Sequence, residues 1–532
     1  MSSQGRGITR RSRREQESST TEPVLNSAWA DFLSSEQPPA TESNAVAISV
    51  ESKLTTEQRN YQFPWAKPSD VPASKKSKKD TESGGLLVQT GTLDATCVGR
   101  TRVSATNTRV FDLSVPSILL PRLNVRRVIA SCTSAHALAI DTNGTVYGWG
   151  RNEASQLGAG LPANVARPFA LEGLSPENFI LDGAVGKSHS IVLTKSRELF
   201  AVGSNKSGQC GLSKSQETIA QFRKCNGASD IVQISCGEAF SVALDEQGFL
   251  YTAGSSEYGQ LGNGSTGERL IVANKVSFDN SYNFQKRTEF THIPGEKAYG
   301  AANTNDKVVE LNEDIRLCHI ACGKYHTIAV EAPSENHAPR VFSWGCGNYG
   351  CLGHGIQADE YKPRSIAALN VGNQWLANPS VSCAAGTSCS MVLTATGQLY
   401  YWGKHRTIGE AIMRPQVLSE LANNQFVADR MAAGNQTVVI TTKNAVTVAW
   451  GNGPHGELGY GAKKSSAKPD FVASLNCCRI QDLACGYGTT YFIVKNEDKS
   501  DQEAIKGLPV VSDDAFLELE RFLDASTGAK KK

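Results

Sequence analysis

Nowhere in this 532-residue chain do some eighteen apolar residues run together, so a membrane-spanning helix is not expected. The opening residues, MSSQGRGITRRSRREQ, are basic, but no apolar run follows them, which argues against export. A GxxxxGK(S/T) loop to cradle nucleotide phosphates is missing, and so is a G-x-S-x-G elbow to present a nucleophilic serine. Hydrolase and transferase chemistry therefore has no support, and no catalytic residue, metal or cofactor is expected. Charge of one sign is not in excess either: 54 Lys and Arg stand against 52 Asp and Glu, a net of +2. Any contact with nucleic acid must then come from local clusters rather than from bulk charge. Without an export signal, the 14 cysteines are expected as free thiols that behave as small apolar core residues.

Local clusters do exist. Residues 1–83 are rich in Ser, Thr, Glu, Pro and Gln, with few aliphatic runs, a composition that cannot offset chain entropy by burial. They are expected to form a disordered arm. Its basic residues are segregated: Arg6, Arg10, Arg11, Arg13 and Arg14 open it, and Lys75, Lys76, Lys78 and Lys79 close it. Such clusters suit nuclear import or phosphate contact, and a plain solvated linker is the alternative. At the other end, residues 496–532 sum to −3, and Phe516, Leu519 and Leu523 fall on one helical face. That amphipathic stripe is expected to pack on its own domain.

Between these ends, residues 84–495 carry a repeat. A small or Cys residue and Gly are followed by two variable residues, often a His, and an alternating apolar strand. A turn, Val-Tyr/Phe-x-Trp-Gly and Gly-x-Leu-Gly complete the unit. Examples are SCTSAHALAIDTNGTVYGWGRNEASQLG from Ser131 and SCGEAFSVALDEQGFLYTAGSSEYGQLG from Ser235. The first glycines, with Thr133 standing in for one, fall at 133, 186, 237, 323, 386, 434 and 486, a period of about fifty with one long insertion. The last copy, ACGYGTTYFIV from Ala484, stops before its Trp-Gly strand, and GGLLVQTG at Gly84–Gly91 supplies the missing half. An N-terminal strand that completes a C-terminal sheet removes an open edge, so an all-β, seven-bladed β-propeller is expected, closed by Gly84–Gly91 beside Ala484–Val494.

This unit resembles the regulator-of-chromosome-condensation repeat family over about four-fifths of the chain. The resemblance implies a regulator that acts through proteins. The family's founding member releases nucleotide from the GTPase Ran with a hairpin wedge. Here the corresponding strand end at Gly203 runs into SNKSGQCGLS, an ordinary turn, and Lys187 stands where that member carries an acid. Ran exchange by that route is therefore not expected. The runs SWGCGNYGCLGHG from Ser343 and AWGNGPHGELGYG from Ala449, the basic arm and Lys-Gly-Leu-Pro at 506–509 are similar to a mitotic branch of the family. That similarity implies binding to small GTPases of the Rac or Ral type, with possible nucleotide exchange. It also implies association with chromatin, centromeres and spindle microtubules, and residence in the nucleus with some cytoplasmic protein. The alternative is a chromatin- or microtubule-bound scaffold without effect on nucleotide.

His136, His189 and His326 share one repeat position, but Phe240, Cys389, Thr437 and Thr489 hold it in other copies, so hydrogen bonding between strands is favoured over a metal set. Cys318, Cys322 and His326 lie along one expected strand, where residues four apart are ~13 Å apart, too far for a zinc knuckle. Trp149, Trp344, Trp402 and Trp450 suit filling between blades. The insertion, 263–314, mixes aromatic and basic residues outside the repeat register. Long loops on rigid scaffolds often carry function, and a protein-binding surface formed by Phe284, Lys286, Arg287 and Phe290 is expected there.

Overall fold

The computed structural model describes residues 84–528 apart from 99–110, 175–177, 273–274, 295, 298–306, 335–336, 371–377 and 406–408. Arg6, Arg10, Arg11, Arg13, Arg14, Lys75, Lys76, Lys78 and Lys79 lie outside the described residues.

Each repeat folds into four antiparallel strands. In the first, Val125–Ile129 pairs with His136–Asp141, which pairs with Val146–Arg151, which pairs with Asn164–Ala170. Second strands such as His136–Asp141, His189–Thr194 and His326–Glu331 are buried along their whole length, which is why they read as nearly continuous apolar runs. Outer strands are half exposed. Thr218–Lys224 buries only Ile219 and Phe222 and points charged or polar groups outward, which blunts the free edge.

Seven such four-stranded units occur among the described residues. Their inner strands neighbour one another in a closed circle, from Val125–Ile129 through Ile180–Val185, Ile231–Cys236, Leu317–Cys322, Ser380–Ala385 and Ala428–Ala433 to Ile480–Cys485 and back. The seventh unit is assembled from both chain ends. Gly85–Thr92 pairs with Thr489–Lys495 over seven consecutive residues, from Gly85 opposite Lys495 to Gly91 opposite Thr489. A second N-terminal strand, Asp112–Ile118, covers its other side; the repeat motif gives no sign of that strand.

Every inner strand carries one irregularity near its start, as between Val125 and Arg127 or Ile480 and Asp482. Such bulges re-aim a side chain, and here they bind one unit to the next. Asp482 accepts from the Val128 N–H at 2.9 Å, and Gln233 accepts from the Ile320 N–H at 3.0 Å. These inner strands line a central channel of about 230 Å³. Burial pushes the Cys132, Cys322 and Cys485 thiols beside it up to about 12, so they stay protonated.

The Gly-x-x-His signature has a steric origin. A Cβ at Gly186 or Gly323 would collide with the ring of His189 or His326, so in these two units glycine leaves the imidazole room to fold back, while Thr133 holds the position before His136. The tryptophans fill the joints between units: Trp344 donates to the Gln260 carbonyl at 3.0 Å and Trp402 to the Cys351 carbonyl at 2.7 Å. Among the described residues no group of His, Cys, Asp and Glu could hold a metal ion. No described helix is long and apolar enough to cross a membrane.

Candidate protein-binding surface

The long insertion is not one loop. Its middle, Ser281–Arg287, is the outer strand of the third unit, paired with Leu250–Gly254 so that Leu250 opposes Arg287 and Tyr251 opposes Lys286. Only the stretch before that strand and the stretch after it lie outside the repeat.

Of the expected contact residues both phenylalanines are buried, Arg287 is half-buried and Lys286 is exposed. Phe284 is 2% exposed and packs with Cys210, Leu212 and Cys225 of the second unit. A Cβ at Gly211 would meet its ring at 2.6 Å, so a glycine of the neighbouring repeat shapes its seat. Phe290 is equally buried, edge-on to Phe342 with ring centroids 5.0 Å apart. The Lys286 ammonium sits over the Phe249 ring, 2.8 Å from its centroid, and Arg316 lies over the same ring. Arg287 donates from Nε to Thr252 Oγ1 at 2.7 Å, and burial lowers its pKa. The two phenylalanines serve packing between units, and the two cations are engaged with their own sheet. Aromatic and basic residues interleaved in sequence are as consistent with an outer strand as with an interface, and no repeat motif marks outer strands.

The stretch after the strand is stapled to the fourth unit. Lys362 pairs with Glu289 at 2.7 Å and with Glu310, and Arg364, 4% exposed, pairs with Glu296 at 2.9 Å and Glu360 at 2.6 Å. Thr291 opposes Arg364 in a parallel pairing.

The stretch before the strand is different. Arg269–Val272 and Lys275–Ser277 form a hairpin that pairs with no other described strand. Leu270 and Val276 face each other across it, 72% and 41% exposed, and Ile271 is 57% exposed. At its base Arg269 makes a bidentate contact with Asp279 at 2.8 and 2.9 Å. A free two-stranded ribbon is marginal in water by itself, and exposed aliphatic side chains grouped on it are the composition of a contact element rather than of a solvated loop.

A second cluster borders the channel. Lys187 and Lys324 both pair with Glu238, at 2.6 and 3.3 Å. Burial would raise that carboxyl, but the two lysines hold it below its usual value. Lys187 is thus balanced by an acid from the next unit. Tyr258 and Tyr325 stack beside it with centroids 4.6 Å apart.

A model of the regulator of chromosome condensation (RCC1) repeat matches residues 143–193, 198–244, 340–393 and 449–493, and a second model of that repeat matches 129–156, 180–209 and 231–260. Human Protein RCC2 is 33% identical over 395 residues, 73% of this chain and 71% of the relative. Human WBSCR16 superposes with a TM-score of 0.59 at 20% identity, covering 78% of this chain and all of that one. Yeast Prp20p, whose solved structure is described with its binding properties to Gsp1p and histones, gives 0.58 at 19% identity, covering 79% and 94%. The two structural likenesses speak for the fold.

Proposed function

Because the chain belongs to the regulator-of-chromosome-condensation repeat family, we propose that it is a seven-bladed propeller that binds a small GTPase of the Rac or Ral type and modulates its nucleotide state. The observation that carries this reading is the apolar hairpin Arg269–Ser277, which stands clear of the ring's own packing and presents Leu270, Ile271 and Val276. Exposed aliphatic side chains grouped on one element are the mark of a protein-contact patch. Modulation follows by linkage: a surface that holds the nucleotide-free GTPase more tightly than the loaded form lowers nucleotide affinity by the same factor. The basic clusters of the arm hold the protein on chromatin or on the acidic surface of microtubules, which places it in the nucleus and, in mitosis, at centromeres and the spindle midzone, with a cytoplasmic fraction.

The test is nucleotide release from purified Rac, Ral and Ran with and without the full chain. Faster or slower release from Rac or Ral supports the reading. Tight binding with unchanged release leaves a scaffold, and no binding to any of the three removes GTPases from the account.

A further inference from the structure

Among the described strands, the ring has one joint at which neighbouring strands come from opposite ends of the chain. The first to sixth units follow each other along the chain, and the seventh is split between Thr489–Lys495 from one end and Gly85–Thr92 from the other. After Lys495 the chain does not leave. It crosses the joint a second time.

On the near side, Asp498 caps the helix Lys499–Ile505 by accepting from the Asp501 N–H at 2.9 Å. Arg479 grips that turn, with Nε to Asp501 at 2.7 Å and Nη2 to Asp498 at 2.7 Å, and Ile505 and Leu508 enter the core of the seventh unit. On the far side, the partners all belong to the N-terminal half. The Pro509 carbonyl accepts from the Ile118 N–H at 2.8 Å, and the Val511 N–H donates to the Ile118 carbonyl at 2.9 Å. These two bonds make an isolated parallel bridge between Val510 and Ile118, at the end of Asp112–Ile118.

The helix Asp513–Gly528 then lies along Asn164–Ala170, the outer strand of the first unit. Phe516 joins Leu87, Leu119 and Trp149, while Leu519 and Leu523 close on Ala166, Leu93 and Phe111. Leu519 is fully buried. Arg167 fixes the helix axis, pairing with Asp513 at 3.4 Å and Glu520 at 3.5 Å, with its guanidinium over the Phe516 ring.

We propose that the C-terminal segment 498–523 is a clasp that holds the ring shut at this joint. It is covalently part of one half and binds the other, so it raises the effective concentration of the closing strands for each other. Opening the joint requires the seven-residue strand pairing and the clasp to let go together. The clasp therefore acts on one place in the ring rather than on the stability of every unit alike, because local opening follows the contacts that hold a given region.

The test uses the full chain and native-state hydrogen exchange. Leu519→Asp, and separately Arg167→Ala, should each speed exchange in Gly85–Thr92 and Thr489–Lys495, with Leu519→Asp giving ten-fold or more. Exchange in Cys389–Thr394, two units away in the ring, should stay within about two-fold. Leu421→Asp, which places the same charge in an outside helix of the fifth unit, serves as control and should leave the joint strands unchanged. Unaltered exchange at the joint in both clasp variants overturns the proposal. So does an equal acceleration in all units, which would make the segment ordinary packing. If Leu519→Asp does not fold, the surface variant Arg167→Ala decides by the same comparison.

Discussion

His189 donates from Nε2 to the hydroxyl of Ser241 in the next unit, 3.0 Å away. The direction is fixed because that hydroxyl is already committed as donor to the Gln209 carbonyl at 2.8 Å. The same relay links His136 to Ser190 and His326 to Ser390. These imidazoles are neutral struts between units.

Their burial sets an acid limit. Burial pushes His136 and His189 down to about 3, and His319 and His326 to about 4. In the unfolded chain each takes a proton near pH 6.5. Their contribution to stability is present in full above pH 6.5 and is lost as pH falls from there toward 3–4, by about 1.4 kcal/mol per pH unit for each histidine. His455 works the other way, since its bond to Asp112 raises its pKa. Denaturant midpoints should hold from pH 7.5 to about 6.5 and fall from there to pH 4.5. His189→Gln should flatten that slope; an unchanged slope would contradict the assignment.

Gly186→Ala should destabilise by roughly 1–3 kcal/mol, the scale of forcing an extra carbon into a packed interior, because the new Cβ meets the His189 ring. Gly160→Ala offers a comparison, since nothing lies within 4 Å of a Cβ there and only its positive φ opposes the change. Thermal melts of the two variants should separate them.

The insertion's residues should divide by burial. Phe284→Ala is expected to cost about 3–5 kcal/mol, as large-to-small changes in a core do. Leu270→Ser should stay within about 0.5 kcal/mol, since surface changes away from packing seldom cost more. Equal effects in chemical denaturation would mean that the hairpin is part of the core.

Changing the five N-terminal arginines and Lys75, Lys76, Lys78 and Lys79 to Ala should weaken DNA binding and flatten its dependence on salt, because each phosphate contact releases counterions. Titrations at two or more salt concentrations measure both. Identical slopes for the parent and the variant would remove the arm from DNA contact.

What could be read in advance follows from what the repeat constrains. The glycine before His189, the buried second strand and the tryptophan strand recur because each unit meets the same steric problem, and the truncated copy at Ala484 points to Gly84–Gly91 as its completion, where the structure has the strand Gly85–Thr92. Outer strands meet solvent on one side and tolerate many side chains. Asp112–Ile118 therefore leaves no mark in the repeat pattern, and Ser281–Arg287 falls within the insertion 263–314. Phe284 and Phe290 read as surface residues because no blade motif accounts for them, whereas Phe284 sits on a strand outside the motif and Phe290 lies just past its end, and both are buried. Leu270, Ile271 and Val276 carry no aromatic or charge signal, and only the three-dimensional arrangement shows that they are bare.

The most direct test of the proposed function is the affinity of the full chain for Rac and Ral, with and without Leu270→Ser, Ile271→Ser and Val276→Ser combined. The account predicts measurable binding by the parent chain, at least a ten-fold loss in the triple variant, and an unchanged melting profile. Undiminished affinity in a normally folded triple variant would contradict it and place the contact elsewhere on the ring.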